Sequence, residues 1–179
     1  LWILAGDTVG ASELFIEFLS SYTDMIKKVD KSKTVIIEGN HDTGMNKLHE
    51  YGFDTRMLYK TRENFLVIHG HQFDELCKHS TWLNRGAILL SYVYPELNKV
   101  PFPQRHPESY IEEARKYVEK FRYSGIVFGH THKAGVRKLG DVVVANTGTW
   151  VDKRDFIEYE NGVVTLKDWK SIQGSYKKH

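Results

Sequence analysis

The sequence predicts an α/β fold, and two observations carry that prediction. Apolar, β-branched runs alternate with runs of helical spacing in strand–loop–helix order. Four of the apolar runs also stop at a short glycine-containing loop that bears Asp, Asn or His. At 179 residues with 41% hydrophobic residues, the chain has the size and apolar content of one globular domain. The expected organisation is a single domain over residues 1–179, interrupted by a mostly helical insertion over 76–123.

The elements follow in order. Leu1 to Ala5 is an apolar strand ending at Gly6-Asp7. From Ser12 to Val29, Leu14, Phe15, Phe18, Leu19, Tyr22 and Ile26 recur at helical spacing. Lys33 to Glu38 is a second strand, stopping at Gly39-Asn40-His41-Asp42, and Met45 to Tyr51 is a short helix. Thr55 to Tyr59 and Phe65 to His69 read as paired strands, the second running into Gly70-His71-Gln72-Phe73-Asp74. Within the insertion, Pro95 and Pro101-Phe102-Pro103 are breaks and Ser109 to Phe121 is the clearest amphipathic helix. Strands resume at Gly125 to Phe128, which ends in Gly129-His130-Thr131-His132, then at Asp141 to Asn146 and Asp155 to Tyr159. Asn161-Gly162 suits a type I′ turn, because both residues tolerate positive φ, with Val163 to Leu166 as the return strand.

Bulk properties exclude several function classes. Lys plus Arg (25) against Asp plus Glu (23) leaves a formal charge of +2, so no nucleic-acid or membrane surface is advertised. The longest apolar stretch, Ala87 to Val93, falls far short of the roughly 20 residues of a membrane span. Cys77 is the single cysteine, belongs to no metal-type cluster and fits a reducing, cytoplasmic setting. The chain opens on a strand with no initiator methionine or signal peptide, and is expected to begin partway through a domain.

The strand-end loops carry the chemistry. Asp7, Asn40-His41-Asp42, His69 with His71, and His130 with His132 hold five of the nine histidines. Ligand sites in layered α/β folds gather at the carboxyl ends of strands. Asp and Asn oxygens with imidazole nitrogens form a mixed donor set for Mn, Fe, Zn or similar ions, without the thiolates of a structural zinc site. Each loop has a plainer reading. Gly6-Asp7 alone is a common turn, and Gly39 to Asp42 suits a turn plus helix N-cap. His130 and His132 would point the same way if their segment were extended.

In this order, Gly6-Asp7, Gly39-Asn40-His41-Asp42, His69-Gly70-His71 and Gly129-His130-Thr131-His132 resemble the later motifs of calcineurin-like metallophosphoesterases across almost the whole chain. The family's opening Asp-x-His motif is absent here, and Gly10 stands where an acidic residue often follows the Gly-Asp. The resemblance implies an αββα sandwich of two mixed sheets flanked by helices, with the insertion as a cap. It also implies a two-metal phosphoesterase that cleaves a phosphate ester or pyrophosphate bond with a metal-bridging hydroxide. Asp7 would bridge two divalent ions. Asn40, His69 and His130 would complete one shell, and His132 would serve the other. Mn²⁺ is the expected metal, with Fe, Zn or Ni as alternatives. His41 would stabilise or protonate the departing oxygen while Asp42 holds its tautomer.

Other residues are more open. His71 reads equally as a supporting group or as a solvent-facing loop histidine. Lys78, His79, Trp82, Arg85, Arg105 and His106 of the insertion offer cations and aromatics for a small phosphorylated substrate, or simply a solvated surface. Asn146-Thr147-Gly148-Thr149-Trp150 resembles a segment in relatives of UDP-diacylglucosamine pyrophosphatases, and reads equally as a strand-end turn. The competing function is a binding scaffold that keeps the fold without catalysis. The His41-Asp42 pair argues for the enzyme. The sequence leaves the oligomeric state open.

Overall fold

The computed structural model describes residues 2–5, 28–39, 45–74, 107–149 and 153–172. Three parallel strands, β1 (Trp2–Ala5), β2 (Thr34–Ile37) and β3 (Asp54–Arg56), form one sheet in that order. A five-stranded sheet has β4 (Leu58–Lys60), β5 (Phe65–Ile68), β6 (Gly125–Phe128), β8 (Val142–Asn146) and β7 (Gly135–Leu139) in that order. Of the two sheets expected to be mixed, this second one is. Its β5, β6 and β8 run parallel, while β4 and β7 are antiparallel edges. The first sheet is parallel over its described strands.

Alternation along the central strands fixes the layers. All four residues of β5 are buried, as expected of a strand covered on both faces. Val67 packs with Val35 and Ile37 of β2, so this face meets the three-stranded sheet. Leu66 and Ile68 turn the other way, joining Ile126, Phe128 and Val144 beneath helix α2 (Pro107–Phe121). Sheet, sheet and helix are thus stacked, and one strand supplies both interfaces by its period of two. Ile126 is completely buried at the second interface, and truncating it to Ala should cost about 2–5 kcal/mol.

Helix α2 confirms the amphipathic segment, beginning two residues earlier than Ser109. Pro107 suits the first turn, where no intrahelical N–H bond is lost, and Glu108 there complements the helix dipole. Tyr110, Ala114 and Val118, four residues apart, form the buried stripe. On the outer face, hydrogen bonds from Arg115 to Glu112 and Glu119 hold its guanidinium above its usual range. The helix stops where Arg122 takes φ 57°. The Tyr123 N–H then bonds the Val118 carbonyl and the Arg122 N–H the Glu119 carbonyl, a Schellman closure.

Two elements differ from expectation. The strand expected over Thr55 to Tyr59 is two strands that part at Met57, with β3 joining the first sheet and β4 the second. The β propensity was legible, but the change of sheet is a tertiary choice. Strand β7 was missed. It turns into β8 through Gly140 at φ 64° and Asp141, a tight turn that also ends the expected Asp141 strand start. The hairpin of β9 (Asp155–Glu160) and β10 (Val163–Asp168) forms as expected, with Asn161 at φ 51° and Gly162 at φ 84°. Helix α1 (Met45–Glu50) begins where expected and stops one residue before Tyr51, and α3 (Trp169–Ile172) is a single turn after β10. Residues 12–27 of the expected helix and residues 76–106 of the insertion lie outside the described residues. Among the described residues, no helix is long and apolar enough to cross a membrane.

Candidate metal centre

Parallel pairing of β5 with β6 brings two of the expected ligands together. Their register aligns Val67 with Val127, so both strands end at the same level. The Gly129 N–H donates to the His69 carbonyl at 2.9 Å, continuing the ladder into the loops. His69 Nε2 and His130 Nδ1 consequently lie 3.2 Å apart, with the rings edge to face. His69 is almost fully buried at 1% exposure, and the His130 side chain is largely buried.

Gly70 allows this approach. At φ 113° it holds a conformation side chains rarely adopt, and a Cβ there would sit 3.0 Å from the Phe128 ring and 3.3 Å from the His130 Cβ. The next residues form a 3₁₀ turn, His71–Phe73, with the Gln72 Oε1 accepting from the Gly70 N–H at 3.0 Å. Phe73 anchors this turn against Phe128 and Tyr117. His71, which the sequence left open between support and solvent, is half-buried with its ring 5.3 Å from His69 and 6.5 Å from His130. It belongs to the histidine cluster.

The second loop is built differently. His130 and His132 have φ of 64° and 57°, a left-handed conformation unfavourable for non-glycine residues. This corrects the premise that both lie on an extended segment. His130 turns inward to His69, whereas His132 is exposed. Asn146, at the end of the neighbouring β8 and 5% exposed, holds the loop in place. Its Nδ2 donates to the Gly129 carbonyl and to Thr131 Oγ1, both at 2.9 Å, and its Oδ1 accepts from the Gly148 N–H at 2.9 Å. Asn146 belonged to the Asn-Thr-Gly-Thr segment noted in the sequence, but its bracing role there depends on β6 and β8 being neighbours.

Two further groups went unsingled in the sequence. Asp74 Oδ2 faces His130 Nε2 at 3.6 Å and accepts from the Tyr110 hydroxyl at 3.1 Å. Tyr110 comes from α2, and its ring lies 5.9 Å from that of His130. The amphipathic pattern of Ser109 to Phe121 carried no signal for a polar contact by Tyr110, which is buried in the structure.

The His69–His130 pair fits a divalent ion. Bonds of 2.0–2.1 Å from nitrogens 3.2 Å apart meet at one ion at an angle of about 100°. Among the described residues no group of three His, Cys, Asp or Glu side chains is gathered for a metal. Asp7, Asn40, His41 and Asp42 lie outside the described residues, as do Cys77, the cationic and aromatic residues singled out between Lys78 and His106, and Trp150.

Comparison with known proteins places these loops in context. A calcineurin-like phosphoesterase superfamily domain model matches residues 2–168. A phosphodiesterase of Methanocaldococcus jannaschii is 25% identical over 142 residues, covering 74% of this chain and 82% of that protein. Among solved structures, an archaeal phosphodiesterase is 16% identical with a TM-score of 0.45, covering 93% of this chain and 81% of that one. Vacuolar protein sorting 29 of Cryptosporidium parvum is 15% identical with a TM-score of 0.45, covering 93% and 79%. The family match spans nearly the whole chain and contains every one of the four strand-end loops, and on it the chain belongs to the calcineurin-like phosphoesterase superfamily.

Proposed function

We propose that this chain is a metal-dependent hydrolase of phosphodiesters, with His69 and His130 holding a divalent ion at the carboxyl ends of β5 and β6. The observation that carries this reading is the 3.2 Å approach of His69 Nε2 to His130 Nδ1, on a chain whose superfamily implies divalent metals. Asp7 and Asn40 complete that shell in this reading, and His132 with Asp7 serves a second ion. Mn²⁺ is the proposed metal. When bound, the ions supply Lewis acidity toward the phosphoryl oxygens and an acidified water. The chain's own residues do the rest. His69 and His130 present their nitrogens from adjacent strands, Gly70 lets those strands' loops close, and Asn146 fixes the second loop. His41 delivers a proton to the departing oxygen, with Asp42 orienting its imidazole.

The phosphodiester class is supported by the Methanocaldococcus relative, itself named a phosphodiesterase. Residues 76–123 are proposed to govern substrate choice, supported by Tyr110 of this insertion lying beside His130. Cleavage of a pyrophosphate bond has less support, because the hydrogen bonds of Asn146 account for its segment without a substrate role. A small phosphorylated substrate in a reducing, cytoplasmic setting fits the near-neutral charge and the single cysteine.

The test is hydrolysis of bis(p-nitrophenyl) phosphate and p-nitrophenyl phosphate by the chelated and Mn²⁺-reconstituted protein. Activity should vanish on chelation, return with Mn²⁺ and favour the diester. His69→Ala and His130→Ala should each lose at least about 100-fold, since residues that merely support a metal ligand already cost 10–100-fold. Chelator-resistant turnover, or full activity in both variants, contradicts the proposal. His41→Ala should keep its metal and lose kcat on a poor leaving group, whereas Asn40→Ala should raise the Mn²⁺ concentration required.

A further inference from the structure

The two ring nitrogens of His130 have different neighbours. Nδ1 faces His69 Nε2, while Nε2 faces a carboxylate oxygen of Asp74 at 3.6 Å. That distance exceeds a charge-assisted hydrogen bond of about 2.7–2.9 Å, yet the electrostatic preference is clear. A carboxylate opposite an N–H is attracted, and opposite an imidazole lone pair it is repelled. The field therefore places the His130 proton on Nε2 and leaves the Nδ1 lone pair directed at His69.

Asp74 is itself positioned by other parts of the fold. It closes the 3₁₀ turn His71–Phe73, its backbone N–H bonding the His71 carbonyl at 3.0 Å. Phe73 anchors that turn in the core beneath α2. The Tyr110 hydroxyl, from the same helix, donates to the Asp74 oxygen that faces His130. The carboxylate is thus held from two directions, by its own turn and by the last helix of the insertion.

We infer that Asp74, oriented by Tyr110, is a positioning residue that fixes the His130 imidazole with its proton on Nε2 and its Nδ1 lone pair turned toward His69. The inference deepens the metal-dependent reading and rests on it for its consequence, since a ligand nitrogen must present a lone pair. The helical insertion would then contribute to metal affinity as well as to substrate choice.

Long-range ¹H–¹⁵N spectra of the metal-free protein at alkaline pH report which His130 nitrogen carries the proton. Wild type should show the Nε2–H tautomer, Asp74→Ala a mixture, and Asp74→Asn and Tyr110→Phe smaller shifts in the same direction. Mn²⁺ titration calorimetry should show affinity weakened about 10–100-fold in Asp74→Ala and less in Tyr110→Phe. Asp74→Asn preserves shape and an acceptor oxygen, so it remains informative if the alanine variant folds poorly. An Nδ1–H tautomer in wild type, or an unchanged tautomer and Mn²⁺ affinity in Asp74→Asn and Tyr110→Phe, overturns the inference. If the tautomer shifts as expected while no form binds Mn²⁺, the positioning role stands and the metal-dependent reading fails.

Discussion

The loops after β5 and β6 meet at one point but reach it by opposite means. After β5 the unusual backbone conformation falls on Gly70, between His69 and His71, where it costs little. After β6 the left-handed conformation falls on His130 and His132 themselves, at a cost of about 1–2 kcal/mol per residue. Asn146 offsets that cost with three hydrogen bonds and keeps the loop from relaxing. The first loop can be rigid because its hinge residue has no chemistry to perform. The second must carry imidazoles on strained positions, and so needs an external brace from β8. Strain of this kind gathers at functional sites when the surroundings over-determine it.

This contrast can be broken most forcefully at Gly70. Gly70→Val puts a branched side chain at φ 113° and against Phe128 and His130, and should cost about 3 kcal/mol in denaturant unfolding. Removing the brace should come next. Asn146→Ala takes the partner from the Gly148 N–H and leaves the Gly129 carbonyl with the Thr131 N–H, and should cost about 2 kcal/mol. For a chain of this size that is a fall of roughly 4–8 °C in Tm, with Mn²⁺ affinity weakened in parallel. Equal affinity in Asn146→Ala and wild type would show that the loop holds its shape unaided.

A smaller effect of opposite sign should appear at His132. His132→Gly relieves the left-handed strain at an exposed residue, and after the entropy cost of glycine should stabilise the metal-free protein by about 0.5–1 kcal/mol. The same variant should lose activity, so that stability and function separate at one position. The smallest change is expected at Arg137, whose exposed pair with Glu108 joins β7 to α2. Arg137→Ala should shift stability by less than about 0.5 kcal/mol and leave Mn²⁺ affinity alone.

Much of this architecture is legible in the chain because its periodicity is local. The β-branched runs at Val35 to Ile37 and Phe65 to Ile68 declare strands, and the Tyr110, Ala114, Val118 stripe declares a helix. Asn161-Gly162 specifies its own turn. That His69 and His130 sit in converging strand-end loops was also legible, since both follow strands and sit beside glycine. What stayed hidden depends on which strands become neighbours. Asn146 acts as a brace only because β8 lies beside β6, and Met57 is a crossing point only because β3 and β4 enter different sheets. Asp74 and Tyr110 stand 36 positions apart and meet through the packing of α2 on the five-stranded sheet. His132 shows the limit of local reasoning, for alternation implied an extended segment where tertiary bonds impose a left-handed one.

The central claim is that the two converging loops form one metal site, and anomalous diffraction from crystals grown with Mn²⁺ tests it most directly. A manganese peak should lie within about 2.0–2.3 Å of both His69 Nε2 and His130 Nδ1, and should vanish in His69→Ala crystals. A peak bound instead through His130 Nε2, or no peak between these two rings in a protein that hydrolyses phosphodiesters with Mn²⁺, would contradict the account.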